Sequence, residues 1–129
     1  MEKSQLIQQI RRIADTLKPF TAFHKTDELV WDGRSYSQAT STRGPDPYAA
    51  EWWTVLETMG DLLRYQDGPL SDMQIDYIRR RLLGGMGSFN DFRLNEKELG
   101  EEAAEANKLL DQLVDELYTM IKKSQRTLP

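Results

Sequence analysis

Leu29-Val30-Trp31-Asp32-Gly33-Arg34-Ser35-Tyr36 is the stretch on which the fold class turns. Asp-Gly is a favoured two-residue hairpin turn, because both central positions take φ > 0. In that register Trp31 faces Arg34 and Leu29 faces Tyr36. Around the turn, residues 19–46 hold Pro19, Gly33, Gly44, Pro45 and the hydroxyl cluster Ser35, Ser37, Thr40, Ser41 and Thr42. A structureless stretch of that length is uncommon inside a compact domain. Three readings compete: an ordered loop whose Phe23 and Trp31 pack onto a helical body, a small hairpin, and disorder. The loop is preferred. The expected fold is therefore all-α: an antiparallel four-helix bundle-like single domain over residues 1–129, with a long loop or small hairpin between helices 1 and 2.

Apolar spacing supplies the helices. Leu6, Ile10, Ile13 and Leu17 lie on one face, widened by Ile7 and Ala14, and predict a helix over about residues 3–18 that Pro19 ends. Asp46 then suits an N-cap and Pro47 the first helical position. Two apolar seams follow, Ala49, Trp53, Leu56, Gly60, Leu63 and Trp52, Val55, Met59, Leu62. A helix apolar nearly all round is expected at the centre of the fold. Its polar stripe of Thr54, Glu57 and Asp61 faces water or, less simply, pairs with Arg79–Arg81. Ser71 with Gln74 three residues on is a capping-box pattern for a third helix, ended by Gly84-Gly85. Leu99, Ala103, Ala106, Leu110, Leu113, Leu117 and Met120 make a heptad seam. They predict one helix over about residues 95–124, roughly 45 Å long.

The 129 residues carry 17 Lys+Arg against 21 Asp+Glu, a formal charge of -4, one His and no Cys. No disulfide framework, thiolate zinc site or cysteine nucleophile is available. A lone His24 excludes a multi-histidine metal site and is poor evidence for a nucleophilic triad. Net acidity argues against a nucleic-acid partner, whose phosphates call for many cations. No apolar run is long enough for a membrane span. The start, MEKSQ, lacks the apolar core of a signal peptide, so a cytoplasmic location is expected. The acids concentrate late: Glu96, Glu98, Glu101, Glu102, Glu105, Asp111, Asp115 and Glu116 stand against Lys97 and Lys108. Such a face attracts a basic partner, or serves only solubility.

Two motifs are candidates for chemistry. Gly84-Gly85-Met86-Gly87-Ser88, followed by Asn90 and Asp91, permits close backbone approach and is a candidate binding loop. It lacks the Gly-Lys-Ser/Thr ending of a P-loop and follows a helix rather than a strand. A tight helix exit is the simpler reading. Glu101-Glu102-Ala103-Ala104-Glu105 matches the EExxE half of the Mg²⁺ motif of all-α nucleotide pyrophosphohydrolases. The ExxD half is missing downstream, and Glu57 with Asp61 would supply a second pair in the wrong chain order.

The run Arg80-Arg81-Leu82-Leu83-Gly84-Gly85-Met86-Gly87-Ser88-Phe89-Asn90-Asp91 resembles the signature of a family of small bacterial proteins of unknown function. The helix bearing Trp52-Trp53 is similar too, so the resemblance spans about residues 50–95. It implies a small all-helical cytoplasmic domain and assigns no catalytic residue.

The expectation is a non-enzymatic helical interaction protein, in its specific form a bacterial immunity protein that neutralises a toxin or effector. No catalytic residue, metal or cofactor is expected. The interface is expected at Trp31, Glu101, Glu102 and Glu105, with a protein partner. The runner-up is a Mg-dependent pyrophosphohydrolase-like enzyme, and a third reading is a homodimer formed through an exposed helix seam.

Overall fold

A computed structural model describes residues 2–126, without the side chains of residues 26, 28 and 124–126. Helix α1 (Lys3–Leu17) is followed by one 3-10 turn (Lys18–Phe20). Strands β1 (His24–Trp31) and β2 (Tyr36–Arg43) come next, then α2 (Pro47–Tyr65) and α3 (Asp72–Ile78). The helical path of α3 widens into a π-helical stretch over Arg79–Leu83. A 3-10 turn (Phe89–Asp91), the single turn α4 (Glu96–Leu99) and the long α5 (Glu101–Arg126) complete the chain.

The core forms where the apolar stripes meet. Leu6, Ile10, Ile13, Ala14 and Leu17 of α1 are buried against Leu56 and Leu63 of α2 and Leu110, Leu113 and Leu117 of α5. Phe89 closes the core beside Ile78 and Leu82. The caps behave as their chemistry requires. The Asp46 carboxylate accepts from the Tyr48 and Ala49 N–H groups at 2.9 and 3.2 Å. Both reciprocal bonds of the Ser71–Gln74 capping box are made.

The fold is not all-α. Two antiparallel strands stand where the sequence pattern favours a loop, so the architecture is a helical body bearing a β-hairpin. Phe23 and Trp31 do not pack onto the helices, since both are exposed. The register also differs from the two-residue turn. Asp32 does not take a positive φ, and only Gly33 does. The Asp32 carboxylate accepts from the N–H groups of Arg34 and Ser35 at 2.8 and 2.9 Å, making a four-residue loop. Trp31 therefore lies opposite Tyr36 and Leu29 opposite Gln38. This slip of two residues leaves every side chain on its expected face of the ribbon.

Two helical expectations also need correction. The predicted last helix breaks at Gly100, where α4 ends with a φ of 83° and α5 begins anew. Helix α2 is not central: its Ala49–Leu56–Leu63 face is buried, while Trp52 and Val55 are only partly covered and Leu62 is exposed. Of its second seam, Val55 and Leu62 line a surface groove together with buried Met59, and Trp52 packs edge-on against Phe89. No helix among the described residues is long and apolar enough to cross a membrane.

Candidate functional site

The hairpin leans over the start of α5. Its base is tied down by the Asp46 N–H donating to the Phe20 carbonyl at 2.9 Å and by Arg43 donating to the Glu98 carbonyl at 3.0 Å. His24 packs edge-on against Phe20, ring centres 5.2 Å apart, and its Nε2 lies 3.9 Å from the Glu102 carboxylate. Between hairpin and helix runs a cleft of about 580 Å³, lined by Asp27, Leu29, Leu99, Gly100, Glu101, Glu102 and Glu105. Four carboxylates thus share the cleft with exposed Leu29 and buried Leu99.

Trp31 belongs to the same surface. Side chains alternate along a strand, so Asp27, Leu29 and Trp31 share one face of the ribbon. Trp31 pairs with Tyr36 across the strands, ring centres 5.1 Å apart. Both rings and Leu29 are largely open to solvent, Leu29 at 70 %. The structure therefore brings Glu101, Glu102 and Glu105 into one cleft and places Trp31 on the ribbon face that walls it. Sequence reasoning missed Asp27, Leu29 and Leu99. The signal was present, because a hairpin register puts Asp27 and Leu29 on Trp31's face.

The Gly-rich loop lies elsewhere, at the far end of α3. The Ser88 hydroxyl donates to the Gly84 carbonyl and the Ser88 N–H to the Gly85 carbonyl, the second at 3.1 Å. A Cβ on Gly84 would run into the Arg80 carbonyl. Gly84, Gly87 and Ser88 are thus used in turning the chain, and buried Phe89 anchors the turn in the core. Gly85, Met86, Asn90 and Asp91 are exposed, Met86 at 98 %. The loop and the acidic cleft do not share lining residues.

The carboxylates weighed for metal binding are not assembled. Glu57 and Asp61 sit on a crevice with Arg11 and Arg64, away from the cleft that holds Glu101, Glu102 and Glu105. Asp61 pairs with Arg64 at 3.7 Å, and Thr54 donates back to the Ala50 carbonyl at 3.0 Å. Arg79 and Arg80 both engage Asp76, at 2.6 and 3.1 Å. The Arg79 hydrogen bond, with Coulombic help from Arg80 and Arg79, holds the Asp76 carboxyl below its ordinary range. Among the described residues no group of three acids and imidazoles is placed to hold a metal ion. Compared with protein-family models, curated proteins and solved structures, the chain matches none of them.

Proposed function

We propose that the chain is a non-enzymatic interaction protein whose partner is a basic protein surface, captured in the cleft between the hairpin and α5. One observation carries the reading: Asp27, Glu101, Glu102 and Glu105 line one cleft with exposed Leu29, and the cleft is walled by a ribbon face that also bears exposed Trp31 and Tyr36. Aromatic anchors beside a charged rim are what a specific interface uses. The aromatics supply the energy, and the charges supply the on-rate and the choice of partner. An immunity protein that neutralises a basic toxin or effector is the specific form of this proposal. The Gly-Gly-Met-Gly-Ser resemblance is compatible with it but names no partner.

The test is co-expression with the product of the adjacent open reading frame, scored by cell survival and by co-purification. Rescue and a stable complex are expected. Trp31→Ala should weaken the complex by about 2 kcal/mol, the range of an interface hot spot. Glu101→Lys with Glu102→Lys should slow association and remove most of its salt dependence. Binding that survives both changes, or no complex with the neighbouring product, would sink the proposal.

A further inference from the structure

The second seam of α2 has an unexpected neighbour. Between α2 and α3 lies a groove of about 940 Å³ whose walls include Val55, Met59 and Leu62 on one side and Met73, Tyr77 and Ile78 on the other. Tyr65 and Met73 are each 80 % exposed and Leu62 is 67 % exposed. Isolated apolar side chains on a surface are ordinary, but several lining one groove mark a binding surface. Among the described residues, the charged side chains lining it are Arg80 and Arg81. Past these two arginines, a second hollow shared with Tyr77 continues to Met86, Gly87 and Ser88 of the Gly-rich loop.

Arg81 is set apart from its neighbours. Arg79 and Arg80 share the Asp76 carboxylate, whereas Arg81 stacks over the Trp52 ring at 4.4 Å and donates to the Gly87 carbonyl at 3.4 Å. Neither of those partners carries a negative charge. The guanidinium is positioned by an aromatic ring and a carbonyl and still available to a carboxylate, which is the role arginine fills at interfaces.

The walls also decide what form of chain can lie there. Both are helices, whose backbone groups bond within their own segments. A partner laid along the apolar part of the groove must satisfy its own N–H and C=O groups, because unpaired ones are costly in apolar surroundings. A helix does this and an extended strand does not.

We infer that the α2–α3 groove is a second docking surface, occupied by an acidic amphipathic helix of another protein. Apolar side chains of that helix, three and four residues apart, enter between Leu62 and Tyr77, and a carboxylate reaches Arg81. The Gly-rich loop forms the end wall, with Met86 covering the bound helix. The inference is independent of the acidic cleft, which would take a partner of opposite charge.

A displayed library tests it directly. Helical peptides of about 20 residues, close to 30 Å in length, carry fixed leucines at heptad spacing and Glu, Lys or Gln at random on the flanks. They are selected on the intact chain. Glu-rich peptides are expected, binding at least about tenfold more weakly to a Leu62→Glu/Met73→Glu double variant and to Arg81→Gln, a loss of roughly 1.4 kcal/mol. The double variant alters exposed side chains, and circular dichroism verifies that it folds. Glu102→Lys should leave the same peptides unaffected. Enrichment of Lys-rich peptides, recovery of none, or equal binding to the variants overturns the inference. So does light scattering that shows a dimer dissociated by the double variant, because a second copy would then be the occupant.

Discussion

Asn107 shows how much one side chain carries. It is buried on α5, its Oδ1 accepts from the Leu94 N–H at 2.9 Å and its Nδ2 donates to the Leu94 carbonyl at 3.0 Å. The amide thereby replaces the strand or helix partner that Leu94 lacks, and it fixes the approach to α4. Nδ2 also donates to the Glu96 carboxylate at 3.2 Å. Asn107→Leu would orphan two buried backbone groups at once. It should cost about 2–6 kcal/mol in urea denaturation, since each unsatisfied group costs about 1–3 kcal/mol. Asp46→Ala removes the α2 cap and should cost about 1 kcal/mol in the same assay. Asp32 makes a prediction in pH. The Ser35 and Arg34 N–H groups bonded to its carboxylate hold its pKa below the ordinary value. A depressed pKa means the turn is stabilised above the ordinary carboxylate range, and that this stabilisation is lost as pH falls through the lowered value. The amide shifts of Arg34 and Ser35 should therefore titrate with a midpoint below that of a free aspartate, and Asp32→Ala should abolish the titration.

At the scale of the element, the hairpin differs from the helices. None of the described side chains of its two strands is buried, and a two-stranded ribbon is marginal in water by itself. Its ladder is supported by the loop bonds of Asp32, the Trp31–Tyr36 pair, the Thr40 hydroxyl donating to the Asp27 carboxylate at 2.8 Å and the ties at its base. Hydrogen exchange should accordingly find β1 and β2 opening far more readily than α1 or the middle of α5. Trp31→Ala should raise exchange in the strands further while leaving the thermal midpoint of the helical body nearly unchanged, because one cross-strand pair contributes about 0.2–1 kcal/mol. The same lack of a buried face explains why the strands were not the preferred reading. HKTDELVW and YSQATSTR alternate too weakly between apolar and polar to show a core-facing period. The signal that did survive was local, the Asp-Gly pair. It specified a hairpin but not its loop length, which the Asp32 side chain decided. Helix α2 erred in the other direction. Its two apolar seams implied full burial, yet the second is covered only in part: Met59 is buried and Trp52 packs against Phe89, while Val55 and Leu62 open onto the groove between α2 and α3.

For the whole molecule, charge is divided by position. Glu101, Glu102 and Glu105 at the start of α5 line the hairpin cleft, and Arg80 and Arg81 at the end of the third helix border the groove. A net charge of -4 conceals this separation. If a basic partner docks at the cleft, its association rate should fall steeply between low and physiological salt, as the screening length shortens to about 8 Å. A stopped-flow series in salt measures it. The dissociation rate, set by Trp31, Tyr36 and Leu29, should change much less.

The sequence by itself located α1, α2 and the start of α3, the Asp46 and Ser71 caps, and the buried faces of α1 and most of α5, because periodic apolar spacing and short-range capping are local properties. It also concentrated acid on α5 and singled out Trp31, Glu101, Glu102 and Glu105. Only the tertiary structure decided that Asp27 and Leu29 join those glutamates in one cleft, that Val55 and Leu62 of α2 open onto a groove bordered by Arg80 and Arg81, and that Asn107 completes the backbone of Leu94. Each of those depends on the distance between elements far apart in the chain, and pairwise packing across such separations is not written in the spacing of neighbours.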